Sequence, residues 1–292
     1  MHLMNKIFTE QNKEDILLLQ YSARKHYNRA EKLQYAIWGI ILANILLNTV
    51  LKSCIGDYFM KVFSTLLLIL QMFLTKRKYI NIKIGAYTKE LIDCTLFGFD
   101  SNCRLYNYSD KKLKEFAVRK KQNSNDYEIQ ISNTGKDRPR GVKDWYENRE
   151  NQDINTAIFG CQCENIWWDE ELCERYMYIF LGIVLTLMSA IIYINKDISV
   201  FNIIFTVVIP CIQIIIELIS QVKNFINLKV YIGKVTIKKH EIQKRLNLID
   251  KESLIELQDL ILQRRQYEII IPNWLHYISA LKLHNIREEI ND

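Results

Sequence analysis

The stretch YAIWGIILANILLNTVL, residues Tyr35–Leu51, is long, apolar and free of charge, and three further stretches of the same kind follow it. They are Val62–Thr75, Tyr176–Asn195 and Ile198–Ile216. A helix rises 1.5 Å per residue, so about 20 residues cross a hydrocarbon core of about 30 Å. Three stretches approach that length, and the second does so if Lys61 snorkels to the interface. The sequence therefore predicts a polytopic membrane protein with two transmembrane helical hairpins.

The rest of the composition favours helices over a barrel. Only 9 Gly and 3 Pro occur in 292 residues, which is typical of long helices with few tight turns. Barrel strands would need repeated alternation over about ten residues, and the sequence has none. We therefore predict an all-α fold in which the transmembrane hairpins continue into a cytoplasmic helical bundle, with one long mixed loop.

Basic residues mark the cytoplasmic side of the predicted spans. Clusters of Lys and Arg precede the first span, follow the second and follow the fourth, whereas both hairpin turns are short. The positive-inside rule then places both termini and the middle segment in the cytoplasm, where most of the seven Cys stay reduced. The predicted organisation is an N-terminal helix at 1–33, hairpins at 34–75 and 176–217, a cytoplasmic insert at 76–175 and C-terminal helices at 218–292.

Apolar stripes predict helices beyond the spans. Ile80, Ile84, Tyr87 and Leu91 share one helix face, and this helix should end near Gly98. A similar stripe after the fourth span consists of Phe225, Leu228, Ile232 and Val235, and another further on consists of Leu254, Leu257 and Ile261. The sequence also predicts a terminal helix at Trp274–Ile290. The stripes fit helix packing better than an interfacial membrane face. Residues 119–141 predict a loop with one strand or hairpin at Tyr127–Ile131.

Polar side chains inside the predicted spans have two possible roles. In hydrocarbon such groups must face another helix or water, so they either join helices by hydrogen bonds or line a pore between assembled subunits. Helix contact is favoured for Asn44 and Asn48, whereas the two roles are nearly equally favoured for Gln213 and Glu217. The residues are Asn44, Asn48, Gln71, Asn202, Gln213 and Glu217.

The densest group of aromatic and polar residues lies in the segment from 142 to 176. Asp144-Trp145-Tyr146 either caps the cytoplasmic helices or stacks on a nucleobase, and Trp167 and Trp168 alone fit a membrane-interface anchor. Cys161, Cys163 and Cys173 give only a weak zinc pattern, so reduced thiols are the preferred interpretation. No motif of a known catalytic class is found. We therefore predict no enzyme activity, no cofactor and no metal site.

At these residues the sequence resembles the S-4TM family, the four-transmembrane effectors associated with bacterial SMODS and SLOG proteins. The resemblance begins in the opening helix from Gln11 and includes Asp144-Trp145-Tyr146. It continues through Cys161-Gln162, Asn165 and Trp167-Trp168-Asp169, and it ends in a block with Arg264 and Ile271-Pro272-x-Trp274. Together these segments extend over nearly the whole chain.

The resemblance implies a role in anti-phage defence. A cGAS/DncV-like nucleotidyltransferase would make a cyclic oligonucleotide signal on infection. The effector, a multi-pass protein of the bacterial inner membrane, would then oligomerise or open and permeabilise the lipid bilayer, most simply as a homo-oligomer. The candidate ligand-binding residues are Asp144, Trp145, Tyr146, Gln162, Asn165, Trp168 and Arg264.

Two alternatives remain open at this point. Lys and Arg between residues 111 and 143 would bind ligand phosphates, or they form a solvated loop or contact anionic headgroups. The protein could also be a membrane scaffold that docks a cytoplasmic partner and conducts nothing. A membrane enzyme is the least favoured function, because no catalytic constellation is found.

Overall fold

The computed structural model describes residues 6–49, 57–102, 104–105, 108–194, 212–244, 249–267 and 269–279. Within these ranges the fold is all-α, and the sole β feature is an isolated bridge between Thr134 and Lys143. The helices are α1 (Ile7–Glu10), α2 (Glu14–Thr49), α3 (Asp57–Phe97), α4 (Asp110–Gln122), α5 (Tyr127–Ser132), α6 (Ile154–Ile194), α7 (Ile212–Gln243), α8 (Lys251–Arg265) and α9 (273–279).

Helices α2 and α3 form the most extensive pair in the fold. They run antiparallel, because residues late in α2 meet residues early in the contacting part of α3. His26 Nδ1 and Asn81 Oδ1 lie 2.9 Å apart, and further along the pair Lys78 Nζ donates to Gln34 Oε1 at 2.8 Å. These side chains are buried, so the pair is joined by polar contacts as well as by packing.

The apolar stripe predicted after the second stretch is confirmed as a packing face from Ile84 onward, whereas its first member, Ile80, is exposed. Ile84, Tyr87 and Leu91 are all buried on α3. The helix ends at Phe97, and Gly98 follows with φ +67°, a left-handed conformation that suits glycine at a helix C-terminus. The predicted end near Gly98 is therefore confirmed.

The main core lies where α1, α2, α3, α4, α6, α7 and α8 meet. Its centre includes the fully buried side chains of Leu113 on α4, Ile158 on α6 and Leu254 on α8. A second cluster joins α6 to α7 through Phe180 and Phe225, whose ring centroids are 5.3 Å apart. The stripes predicted on α7 and α8 are thus buried as expected for packed helices.

The predicted strand at Tyr127–Ile131 is wrong, because these residues form α5. The Tyr127 ring packs edge-on against Tyr21 with centroids 5.1 Å apart, and Asp126 accepts hydrogen bonds from Tyr21 and from Gln130 one turn later. These tertiary contacts outweigh the short alternating pattern. The loop prediction also began too early, since α4 extends through the first residues of 119–141.

Long apolar side chains are exposed on the helices that contain the predicted spans. On α3, Phe59 is 72% exposed and Met72 66%, and on α6, Leu185 is 67% exposed. Within the described ranges, no helix is both long and apolar enough to cross a membrane. The terminal helix prediction is confirmed for 273–279, and the remainder of Trp274–Ile290 lies outside the described residues.

Candidate ligand-binding site

A cavity of about 1060 Å³ opens between α2, α3, α6, the segment 134–147 and the residues after α8. This volume lies at the upper end of the range of about 300–1,000 Å³ that small-molecule sites occupy. Eight basic and five acidic side chains line it, together with six aromatic rings. The wall therefore combines a surplus of positive charge with flat apolar surfaces, a composition that suits an anionic ligand with planar rings.

The Asp144-Trp145-Tyr146 segment is held by two amide side chains that precede α2. Gln11 Nε2 donates to the Tyr146 carbonyl at 2.9 Å, and the Tyr146 N–H donates back to Gln11 Oε1 at 2.7 Å. Asn12 pairs in the same way with the Asp144 backbone N–H and carboxylate. Asp144 has φ 52°, a left-handed conformation that aspartate tolerates. These hydrogen bonds hold the segment so that Tyr146 lies in the core and Trp145 is 45% exposed.

Tyr146 connects the cavity wall to a buried polar network. Its hydroxyl donates to Asp93 Oδ1 at 2.7 Å and accepts from Asn165 Nδ2 at 2.9 Å. The other Asp93 oxygen accepts from Gln258 at 2.9 Å and from Arg265 at 2.7 Å. Burial and the neighbouring Asp93 charge raise the pKa of Tyr146 well above its usual range, so the phenol stays protonated.

A second buried carboxylate extends the network along α3. Glu90 is fully buried and accepts from Arg104 Nε at 2.6 Å and from Gln258 at 2.9 Å. Arg265 lies 3.9 Å away, and Arg104 also pairs with Asp259 at 2.9 Å. Burial raises the pKa of Glu90, although Arg104 opposes this shift. The network therefore joins α3 to α8 by charge-assisted hydrogen bonds that are buried at Glu90 and Asp93 and reach the surface at Asp259.

Trp145 carries a cation on one ring face. Lys89 Nζ lies 3.5 Å from the ring centroid and donates to the Gln20 side chain. Burial lowers the pKa of Lys89 to about 7, and the positive charge of Arg265 adds to this effect. The indole N–H of Trp145 points to Asn165 Oδ1 at 3.5 Å. Lysine and tryptophan thus hold each other in place at the cavity wall.

Arg264 and Trp168 line another part of the cavity. Arg264 Nη2 lies 3.4 Å from Asp169 Oδ1 and 2.9 Å from Cys173 Sγ. Burial opposes its charge, yet Asp169 and Cys173 hold the pKa of Arg264 above the usual arginine range. Its Nε is buried, and no described residue accepts a hydrogen bond from it. The Trp168 ring packs edge-on against Trp167 with centroids 5.3 Å apart.

The segment 134–143 forms a wall of the cavity. Arg24 on α2 donates to the carbonyls of Arg140 and Gly141 at 2.9 and 3.0 Å. Arg140 in turn donates to the carbonyls of His276 and Tyr277, both at 3.2 Å. A side chain on Gly141 would lie 1.7 Å from a backbone oxygen, so only glycine fits this close approach. The two arginines therefore bind the segment to α2 on one side and to α9 on the other.

Six of the seven candidate ligand residues line this cavity, and Gln162 does not. Gln162 is fully buried and donates to the Leu254 carbonyl at 2.8 Å and to Gln258 at 3.1 Å, which joins α6 to α8. The predicted cap is found at Tyr146, which lies in the core, whereas Trp145 lines the cavity and its stacking on a nucleobase stays a prediction. The six residues are Asp144, Trp145, Tyr146, Asn165, Trp168 and Arg264.

The basic residues proposed as phosphate ligands divide between two elements. Those from Lys111 to Lys121 lie on α4 and do not line the cavity, whereas Arg138, Arg140 and Lys143 do. Arg24, Lys89 and Arg265 also line the cavity, although no sequence motif marks them as ligand residues. They lie on three different helices, and the local pattern gave no signal beyond a basic flank to a predicted span.

The polar residues of the predicted spans are only partly described. Asn44 is buried on α2, and Gln71 is half-buried on α3, where its Oε1 accepts from no described residue. Asn48 lies on α2, and Gln213 and Glu217 lie on α7. Asn202 lies outside the described residues. Among the described thiols, Cys161 and Cys173 are buried and Cys163 is partly buried; none forms a disulfide.

The fold and the cavity define a class of protein: an all-α chain in which long helices wall a cationic, aromatic cavity and extend far beyond it. The chain belongs to the SMODS-associating 4TM effector domain family, whose sequence model matches residues 5–289. The resemblance noted in the sequence is thereby confirmed. Membership places the chain among CBASS-associated anti-phage effectors and links it to a system with a cGAS/DncV-like nucleotidyltransferase. No curated protein and no solved structure matches the chain.

Proposed function

We propose that this protein is a membrane effector of anti-phage defence that a cyclic nucleotide activates to permeabilise the bacterial inner membrane. One observation carries the proposal: three helices supply residues to the cavity and continue unbroken into the predicted apolar spans. They are α2 with Arg24, α3 with Lys89 and α6 with Asn165. A ligand that moves these side chains acts directly on the same helices that contain the predicted spans.

The composition of the cavity supports a nucleotide ligand. A phosphodiester needs cationic or amide donors, and a base needs flat apolar surface with polar groups at its edge. Trp145 and Trp168 provide rings, Asn165 provides an amide, and arginine and lysine side chains provide positive charge. The cavity is also large enough for more than one nucleotide unit by volume.

The membrane part of the proposal rests on the sequence and on the family description. The four apolar stretches have the approximate length of a span, and the family is described as a 4TM effector. Exposed apolar side chains on α3 and α6, among them Phe59, Met72 and Leu185, add support. Exposed apolar surface on soluble proteins often marks a site that a partner covers, so a lipid or a second subunit is expected to cover these side chains.

We propose that several copies assemble when the ligand binds, or that an existing assembly opens. Polar residues in the predicted spans then face a water-filled path, with Gln213 and Glu217 on α7 nearest its cytoplasmic end. Alanine at both positions should reduce ion flux and toxicity. If the double variant is as toxic as the wild type, these residues do not line the path.

Reconstitution tests the function directly. Purified protein in liposomes should release a trapped dye when one member of a panel of cyclic di- and trinucleotides is added. Co-expression with an active cGAS/DncV-like nucleotidyltransferase should stop growth, whereas a catalytically inactive version of that enzyme should not. Release that ignores every nucleotide contradicts ligand gating. Absence of both release and toxicity contradicts the pore and favours the non-conducting scaffold.

A further inference from the structure

Five of the eight basic side chains that line the cavity fall into two groups according to their partners. Arg264 and Arg265 each pair with a carboxylate, at 3.4 Å to Asp169 and 2.7 Å to Asp93. Arg24, Lys89 and Arg140 also line the cavity, but no carboxylate of the described residues lies within ion-pair distance of them. Their hydrogen bonds go to main-chain carbonyls or to the amide of Gln20. The positive charge of this second group is therefore not neutralised by an ion pair, although Asp126 and Asp93 favour the charged forms of Arg24 and Lys89 from further away.

The acidic side chains of the wall are engaged elsewhere. Glu31 accepts from the Asn273 backbone N–H and from Tyr35, Asp144 accepts from Asn12, and Asp169 lies beside Arg264. Glu164 and Glu147 both pair with Arg149 at 3.2 Å. None of these carboxylates lies within ion-pair distance of Arg24, Lys89 or Arg140.

Arg24 repels both of the other unpaired cations, Arg140 and Lys89. Burial is the first cause that lowers the pKa of Arg24, and the charge of Arg140 is the second. Burial likewise lowers the pKa of Lys89, with further contributions from Arg265 and Arg24. A partly buried charge without a counter-ion is unfavourable, so this group is stabilised by an anion that enters the cavity.

We propose that Arg24, Lys89 and Arg140 form the phosphate subsite of the cavity, and that a phosphate bound there draws Lys89 off Trp145 and frees that ring face for a base. This inference rests on the proposed function and extends it to particular side chains. Lys89 Nζ lies 3.5 Å from the Trp145 centroid, which leaves no room for a planar ring between them. Stacking on this face therefore requires Lys89 to move.

The proposed subsite predicts that a ligand must carry a phosphate group and a base on the same molecule. A phosphate alone attracts Lys89 but leaves the exposed indole without a partner, and a nucleoside alone finds the face occupied. A nucleotide satisfies both groups at once, since it supplies the anion for Lys89 and the ring for Trp145. The cavity should therefore discriminate strongly against nucleosides, by the loss of the phosphate contact as well as of the stacking contact.

Lys89→Met tests the subsite because it keeps most of the apolar stem and removes the charge. Binding of the cyclic nucleotide panel to the purified full chain should weaken about 10- to 100-fold, the loss typical of one charge-assisted hydrogen bond. Lys89→Arg should retain most of the affinity. Lys83→Met is the matched control, because Lys83 also lies on α3 over an aromatic ring, that of Tyr79, yet does not line the cavity.

Tryptophan fluorescence with pyrophosphate gives a second measurement that needs no folded Lys89 variant. Pyrophosphate should change the emission of the wild-type chain, and Trp145→Phe should remove this change. Equal nucleotide affinity in Lys89→Met and Lys83→Met overturns the subsite while leaving the proposed function intact. Pyrophosphate binding that changes the Trp145 emission, with no cyclic nucleotide bound by the wild type, supports the phosphate subsite and overturns the proposed function. Binding of neither compound overturns both.

Discussion

Replacement of Arg265 by methionine should strongly destabilise the fold, because it leaves two buried carboxylates short of positive charge. Arg265 Nη1 lies 2.7 Å from Asp93 and 3.9 Å from Glu90, and the side chains of both acids are essentially inaccessible to solvent. Removal of one partner of a buried ion pair typically lowers the free energy of unfolding by about 3–5 kcal/mol. Arg104 still neutralises Glu90, so most of the loss should arise at Asp93.

Thermal unfolding of the purified full chain, followed by far-UV circular dichroism, measures the effect. A loss of about 1 kcal/mol lowers the unfolding midpoint by about 2–4 °C in chains of roughly this size. Arg265→Met should therefore lower the midpoint by about 6–20 °C. Arg119→Met is the matched control: Arg119 pairs with Glu115 on the exposed surface of α4, where ion pairs contribute little.

Coupling with Asp93 separates the ion pair from a general packing effect. Asp93→Asn removes the carboxylate charge, so the double variant should be more stable than the sum of the two single losses by at least about 1 kcal/mol. Strict additivity of the two losses refutes the assignment of the effect to this pair. An Arg265→Met midpoint no lower than that of Arg119→Met refutes the whole argument.

Three further outcomes are expected. Gly141→Ala should lower the free energy of unfolding by about 1–3 kcal/mol, because the new Cβ would lie 1.7 Å from a backbone oxygen. Gly135→Ala is the control: its Cβ would meet no atom within 4 Å, so this variant should be neutral in the same unfolding assay. Ser109→Ala should lose about 1 kcal/mol, since the Ser109 hydroxyl caps α4 by accepting from the Lys112 N–H. Binding of a phosphodiester should be tightest below pH 7 and should weaken by up to about tenfold per pH unit above pH 7. The reason is that the lowered pKa of Lys89 leaves its amine neutral above pH 7. A titration of binding against pH should show a flatter profile for Lys89→Arg, because arginine keeps its charge.

The helical fold was predictable because it rests on local patterns. The stripe through Ile84, Tyr87 and Leu91 has the period of a helix, and Gly98 has the chemistry of a helix C-terminus, so both could be read directly. The error at Tyr127 has a physical reason. Three alternating apolar residues fit a strand as well as one helical turn, and the contact of Tyr127 with Tyr21, about a hundred residues earlier, decides between them.

The candidate site was predictable where its residues are close together in sequence. Trp145, Asn165 and Trp168 belong to one dense segment, and all line the cavity. Arg24 and Lys89 could not be found in the same way, because each is an ordinary basic residue on a helix until the fold shows which of its neighbours are acidic. The absence of a carboxylate partner is a tertiary property, and no sequence pattern encodes it.

The unpaired cations also determine whether the binding of one ligand can shift the protein between an inactive and an active conformation. Moving a two-state equilibrium from 1:99 to 99:1 requires about 5.5 kcal/mol of differential binding. Hydrogen bonds to charged groups contribute about 1.5–3 kcal/mol each, so three of them supply about 5–9 kcal/mol, provided that they form in the active state alone. Arg24, Lys89 and Arg140 gain most of this energy when a phosphate binds, because it replaces only neutral acceptors there, the main-chain carbonyls and the Gln20 amide. Arg264 and Arg265 do not, because a ligand would have to replace Asp169 or Asp93 and would gain only the difference. The switch energy should therefore reside in the unpaired cations.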